Sequence, residues 1–343
     1  MMLGKRVLVT GASGFTGNHL CRRLIKDGFS VRALVRNPNR DRELLGHGIE
    51  TVLGDMRDQR SLVRALEGID SVFHLAAVYR KENVSRKEMF ETHVQGTRSL
   101  LDGSIKGGVR RFIHCSTTGV HGDIEDPPAN EESPFAPGDP YQRSKAEGER
   151  VVLEYMRKSR LPIVVFRPGG IYGSGDLRFL KLFKAIKAGR FAMIGSGEVR
   201  NQLIYIDDLI DGILLCATTE RAIGNVYILA GNEPVTLNQL AHTIAEVLDV
   251  RPTRRRIPFT PVYLAGLVCE MICKPLGIDP PLHRRRVKFF SNMRWFDISK
   301  AQAHLGFEPK IDLRTGLDRT AKWYQEQGLL CNAVAALFCL LFV

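Results

Sequence analysis

Arg6-Val7-Leu8-Val9-Thr10-Gly11-Ala12-Ser13-Gly14-Phe15-Thr16-Gly17 is the stretch whose reading decides the fold. A short, β-branched apolar run typical of a buried parallel strand meets a glycine-rich turn. Leu20, Leu24 and Ile25 then recur at helical spacing up to Gly28. In a strand, glycine turn and helix, the missing side chains let the backbone approach a pyrophosphate, whose charge is favoured at the helix N-terminus. Gly11, Ser13, Gly14, Phe15 and Gly17 are therefore candidate contacts. An ordinary tight turn is the competing reading, and the flanking strand and helix weigh against it.

Further along, Ser30 to Val35 reads as a second strand, with Arg36 at its end and Arg40 close behind. Dinucleotide folds selective for NAD place an acid here to hold the ribose 2′-hydroxyl, whereas an arginine accommodates a 2′-phosphate. No acid lies between Asp27 and Asp41. Arg36 thus tilts the reading toward NADP over NAD, against the alternative of a solvated surface arginine. Thr51–Leu53, Ser71–Ala77 and Arg111–Thr117 read as three more strands, and Asp58 is placed to cap the helix between the first two. This alternation predicts an α/β, doubly wound parallel sheet.

Asp139-Pro140-Tyr141-Gln142-Arg143-Ser144-Lys145 reads as a helix start. Asp139 suits the N-cap, Pro140 the first helical position, and Gln142 can complete the cap. Tyr141 and Lys145, four apart, share a helix face. A neighbouring ammonium would lower the pKa of the Tyr141 hydroxyl and fit it for proton exchange. Taken alone, the pair is equally a solvated helix face.

The bulk numbers frame these motifs. The 343 residues suffice for a compound domain or two lobes. A formal charge of +12 suits an anionic partner: a nucleotide, a membrane surface or a nucleic acid. The last is disfavoured, because no aromatic platform accompanies the charge. Seven cysteines without a CxxC pair argue against a disulfide framework or a zinc site. A reducing, cytoplasmic setting is expected, and no secretory signal precedes the first strand.

The chain resembles the extended short-chain dehydrogenase/reductases of the NAD-dependent epimerase/dehydratase group. The matching pieces are TGASGFTG at 10–17, GDMRD at 54–58, LAA at 75–77, STTGVHG at 116–122, YQRSK at 141–145, RPGGIYG at 167–173, YIDDL at 205–209 and DISKAQAHLGFEP at 297–309. The resemblance implies a Rossmann-type domain over 1–175 and a smaller α/β substrate lobe, mainly 176–328, with some elements returning to the first domain. It makes Tyr141 the general acid/base, and Lys145 its partner and a ligand of the nicotinamide ribose. Thr117 would polarise the reacting oxygen. Asp55, with Met56 beside it, would meet the adenine. Leu75, Ala76 and Ala77 would line the cofactor, and Pro168 would sit by the nicotinamide. Family members often form homodimers through helices of the first half.

Departures from the family patterns narrow the chemistry. Sugar-nucleotide 4,6-dehydratases carry an acidic pair after the Thr117 position, where this chain has Thr118 and Gly119. Sugar-nucleotide epimerases tend to have an asparagine near Gly170 and an arginine near Asn201; here the arginine is Arg200. RPGGIYG looks more like the 3β-hydroxysteroid dehydrogenase and dihydroflavonol reductase branches. The expected activity is NAD(P)-dependent interconversion of a hydroxyl and a ketone on a steroid-, isoprenoid- or flavonoid-like small molecule. A nucleotide-sugar epimerase or reductase and a catalytically silent dinucleotide-binding protein are the alternatives. His93 replaces the asparagine that usually precedes Val-x-Gly-Thr, and the resemblance assigns it no role.

Leu180–Lys187, Asp207–Cys216 and Thr236–Leu248 carry helical patterns. Between Arg254-Arg255-Arg256 and Arg284-Arg285-Arg286 runs the apolar stretch Val262–Cys273. One reading makes it a core or lid helix; the other lays it on a membrane with arginines at anionic lipid heads. The first is favoured here, because Glu270 interrupts the run. The apolar tail, 329–343, is short of a bilayer span, so residues 254–288 and the tail together suggest peripheral membrane contact.

Overall fold

A computed structural model describes residues 4–39, 41, 46, 48–78, 84–273, 280–282 and 284–330, without the side chains of Arg285 and Arg286. Arg40 and tail residues 331–343 lie outside the described residues. The described chain divides into two units that interleave in sequence: Met1–Gly169, Ile206–Asn232 and Phe296–Pro309 in one, Gly170–Tyr205, Glu233–Trp295 and Lys310–Val343 in the other.

The first unit is built on a seven-stranded parallel sheet. Its strands are β1 (Arg6–Thr10), β2 (Ser30–Val35), β3 (Ile49–Leu53), β4 (Ser71–His74), β5 (Arg111–Cys115), β6 (Ile163–Pro168) and β7 (Val226–Leu229), in the order β7-β6-β5-β4-β1-β2-β3. The central strand β1 pairs Val7 with Val31 on one side and Ser71 on the other. Val7, Leu8 and Val9 are fully buried, which is why this strand is apolar on both faces.

Helices cover both faces. α1 (Phe15–Lys26) and α2 (Gln59–Leu66) follow β1 and β3. Asp58 caps α2 by accepting from the Arg60 N–H. A continuous helix runs from Arg86–Phe90 through a π-helical turn at Glu91–Gln95 into α3 (Gly96–Lys106). α4 (Pro140–Lys158) precedes β6, and α5 (Ile206–Thr218) lies against β5 and β6. One core layer joins Leu8, Leu62, Val72, Leu100, Phe112 and Val152.

One sequence-based expectation needs correction. The strands expected over 71–77 and 111–117 end at His74 and Cys115, so the functional residues beyond them sit on loops. The helical pattern over 207–216 is α5, which lies in the first unit and is one of the elements of the second half that return to it. Periodicity gives its apolar face but not its destination, which here includes an ion pair between Arg23 of α1 and Asp211 at 2.5 Å.

In the second unit, helices Leu180–Lys187, Leu237–Val247 and Leu313–Glu326 form an apolar centre. Phe183 and Tyr324 meet edge-on with ring centroids 5.2 Å apart. Thr236 and Gln239 form a reciprocal capping box.

Candidate active site

β1 and β4 lie side by side, and from them the strand order runs outward in opposite directions. The crevice beyond their C-terminal ends is the topological switch point where open α/β sheets bind ligands. The glycine turn closes one side of it. Gly11 has φ +72°, and a Cβ there would lie 2.8 Å from the Leu75 carbonyl and the Ala76 nitrogen. A Cβ on Gly17 would lie 2.1 Å from the Gly11 oxygen. Both positions therefore require glycine. α1 starts at Phe15 with no side-chain cap and no acid in its first turn. This Cβ-free cradle at an uncapped helix N-terminus, with Ser13 in the turn, fits the pyrophosphate of a dinucleotide.

Arg36 is exposed directly after β2. Asp55 follows β3, and its Oδ1 accepts from Arg57 N and Nε, each at 2.9 Å, while Oδ2 accepts from a terminal Arg57 nitrogen at 3.0 Å. These bonds, opposed by partial burial and helped by the nearby charge of Arg36, hold the carboxyl below the usual range. Met56 is buried, and a Cβ on Gly96 would lie 2.6 Å from its carbonyl oxygen.

At the other end of the crevice, Asp139 accepts from the Gln142 N–H at 2.8 Å to start α4. Gln142 completes the cap from one residue further out: its Oε1 accepts from the Gly138 N–H at 2.7 Å. Tyr141 and Lys145 are 8% and 5% exposed, which rules out a solvated face. The Lys145 ammonium donates to the Cys115 carbonyl at 2.7 Å. Two residues on, Thr117 Oγ1 accepts from the Gly119 N–H at 3.0 Å. Thr118 donates to the Pro168 carbonyl at 2.9 Å. Burial pushes the Lys145 pKa down, opposed by Cys115 and Glu149. Thr117, Tyr141, Lys145 and Pro168 thus gather around the ends of β5 and β6, while Arg36 and Asp55 gather at β2 and β3. All lie in the first unit.

Two networks were not expected from sequence. In the first, fully buried Glu149, one turn beyond Lys145, accepts from Ser116 and from Arg167 Nε at 3.0 Å. Arg167 also donates to the Glu131 carbonyl at 2.8 Å and to His121 Nε2 at 3.0 Å. The only sequence signal for it was the i,i+4 spacing of Lys145 and Glu149.

The second network uses histidines. His74 Nε2 lies 2.9 Å from Thr97 Oγ1, which donates to the His93 carbonyl; this makes Nε2 the protonated nitrogen. Nδ1 then accepts from Thr10 Oγ1 at 2.8 Å, and Thr10 Oγ1 accepts from the Ala76 N–H. His93 is the mirror case. Its Nε2 accepts from the Val78 N–H at 2.9 Å, so Nδ1 carries the proton to Ser144 Oγ at 2.8 Å, and Ser144 donates to the Tyr141 carbonyl. The His93 ring also meets the Tyr141 ring edge-on at 5.7 Å. The segment 76–78 after β4 is thereby tied to the helix carrying Tyr141.

A glycine cradle at the switch point of a parallel sheet, with a buried tyrosine–lysine pair across it, defines a dinucleotide-dependent enzyme of the extended short-chain dehydrogenase/reductase type. The family model described as "NAD dependent epimerase/dehydratase family" matches residues 7–230, and the chain belongs to that family. It is 31% identical to 3beta-hydroxysteroid-dehydrogenase/decarboxylase isoform 1 of Arabidopsis thaliana, covering 91% of this chain and 78% of the relative. It is 29% identical to the N-acetyl-alpha-D-glucosaminyl-diphospho-ditrans,octacis-undecaprenol 4-epimerase of Escherichia coli O157:H7, covering 94% and 96%. Among solved structures, DesIV, the dTDP-glucose 4,6-dehydratase of Streptomyces venezuelae with NAD and TYD bound, aligns with TM-score 0.75 and 27% identity over 95% of this chain and 97% of that one.

Proposed function

We propose that this protein interconverts a hydroxyl and a ketone on a largely apolar substrate, with Tyr141 as the acid/base and NADP preferred over NAD. The observation that carries the reading is the burial of Tyr141 and Lys145 on one face of α4, with the Lys145 ammonium fixed on the Cys115 carbonyl beside Thr117.

A bound nicotinamide dinucleotide supplies or receives the hydride. The glycine cradle would hold its pyrophosphate, Asp55 and Met56 would face its adenine, and Leu75–Ala77 and Pro168 would line it. Arg36 would answer a 2′-phosphate. When a carbonyl is reduced, negative charge grows on its oxygen. Thr117, whose oxygen is already engaged by the Gly119 N–H, is left with its O–H proton to donate to that charge. The Tyr141 hydroxyl delivers the proton, and the Lys145 ammonium favours the tyrosinate left behind. In the oxidative direction the same groups run in reverse.

Elimination of water is disfavoured, because Thr118 and Gly119 supply no carboxylate. The two relatives, one named for a hydroxysteroid and the other for an undecaprenol-linked sugar, support an apolar substrate. The second of them keeps a 4-epimerase reading open, in which hydride leaves and returns to one sugar carbon. A screen that follows NADPH absorbance with hydrophobic ketones beside nucleotide sugars separates these readings. Net NADPH oxidation with ketones is expected. Sugar epimerisation without net cofactor turnover would replace the proposal, and no turnover with either class would favour a silent binder.

A further inference from the structure

The helix Phe259–Cys273 of the second unit places its one acid where the linear sequence conceals it. Glu270 is buried and points inward, with Oε1 accepting from the Arg284 backbone N–H at 2.9 Å and Oε2 accepting from a terminal Arg284 nitrogen at 3.1 Å. Gly266, one turn earlier, is also buried, and a Cβ there would meet Arg284 at 3.4 Å. These two residues mark the docked face. On the opposite face Leu264, Val268, Met271 and Ile272 are 51%, 48%, 58% and 59% exposed. At 3.6 residues per turn these four share an arc of about 100°. The acid that interrupts the apolar run in sequence therefore does not interrupt the exposed face.

The charge of this stretch is predominantly positive. Residues 251–288 hold nine lysines and arginines against two acids, Glu270 and Asp279. Arg254 and Arg255, just ahead of the helix, are exposed, as is Ile257 between them and it. Among the described residues no helix is long and apolar enough to cross a membrane. The helix is apolar around nearly its whole circumference, with Glu270 its only charge. With the Glu270 and Gly266 side docked, its exposed apolar arc and the basic residues ahead of it suit the surface of an anionic bilayer, apolar side down and arginines among phosphate heads.

We propose that the exposed face of helix Phe259–Cys273, with Arg254 and Arg255, docks this protein on the surface of an anionic lipid bilayer. The full chain should co-float with vesicles of phosphatidylcholine and phosphatidylglycerol, and far less with phosphatidylcholine alone. Leu264→Glu with Met271→Glu should lower the affinity for the mixed vesicles at least tenfold without changing the thermal midpoint, since both sites are solvent-facing. Arg254→Glu with Arg255→Glu should remove most of the preference for the anionic lipid, roughly fivefold for each arginine. Failure of the wild type to float would overturn the proposal. So would full binding by the Leu264/Met271 variant, or binding lost only when residues 331–343 are deleted. A Leu264/Met271 variant that changes the oligomeric state but not flotation would assign the face to a second copy of the chain instead.

Discussion

His93 Nδ1 lies 2.8 Å from Ser144 Oγ, while its Nε2 accepts the Val78 N–H. One imidazole thus joins the loop after β4 to the helix that presents Tyr141. Asparagine, the residue that usually precedes Val-x-Gly-Thr in the family, also carries a donor and an acceptor, but on a shorter side chain. The π-helical turn at Glu91–Gln95 is where this longer bridge is seated.

His93→Phe keeps an aromatic ring beside Tyr141 but removes both nitrogens. The partly buried Val78 N–H would lose its acceptor and Ser144 its donor, a cost of up to about 1–3 kcal/mol, so the variant should melt lower. Its kcat should also fall, because Tyr141 loses the contact that fixes its helix to the crevice. His93→Gln, which restores a donor and an acceptor, should recover part of both. Thermal melts and steady-state kinetics on the two variants check this; a His93→Phe protein as stable and active as wild type would remove the brace.

Tyr141→Phe separates proton transfer from binding. Loss of a positioned acid/base lowers turnover by about 10²- to 10⁴-fold, whereas the glycine cradle that would hold the dinucleotide is untouched. Turnover should collapse while the NADPH Kd, read by fluorescence titration, moves little. Retention of most of the activity would take the acid/base role away from Tyr141.

Arg36→Ala tests the cofactor preference. A charge-assisted hydrogen bond to a phosphate is worth about 1.5–3 kcal/mol. The variant should therefore lose roughly ten- to a hundredfold in NADPH affinity and little in NADH affinity. Equal losses for both would show that Arg36 does not read the 2′-phosphate.

What was legible in the sequence was local. The glycine turn, the Asp58 and Asp139 caps and the Tyr141/Lys145 spacing each depend on residues a few positions apart, and the backbone honours them. The histidine network could not be read the same way. His74 meets Thr10 across 64 residues and His93 meets Ser144 across 51, and nothing in either neighbourhood names the partner. The placement of α5 was hidden for the same reason, since Arg23 and Asp211 are 188 residues apart. Glu270 was not legible either: in one dimension it breaks an apolar run, and in three it is buried and bonded to Arg284.

His114 offers the sharpest test of the buried histidines. Its ring is 1% exposed and 5.1 Å from that of His74, and neither ring nitrogen has a hydrogen-bond partner among the described residues. Burial, with Lys145 nearby, drives the His74 pKa down to about 3 and that of His93 to about 2, and holds His114 well below its ordinary value. With the folded values depressed, stability is complete above the unfolded value near 6.5. It is lost as pH falls below that, because only the unfolded chain takes up the protons. Each such histidine steepens the loss of stability as pH falls below about 6.5, by at most about 1.4 kcal/mol per pH unit. His114→Leu deletes one of these groups along with an orphaned polar ring. It should be at least as stable as wild type at pH 7.5, and below pH 6 its stability should fall less steeply than that of wild type, which keeps the buried His74, His93, His114 and His121. Urea unfolding at pH 7.5, 6 and 5 measures both slopes. An unchanged slope would mean that His114 is charged in the folded protein or finds a compensating partner as the pH drops.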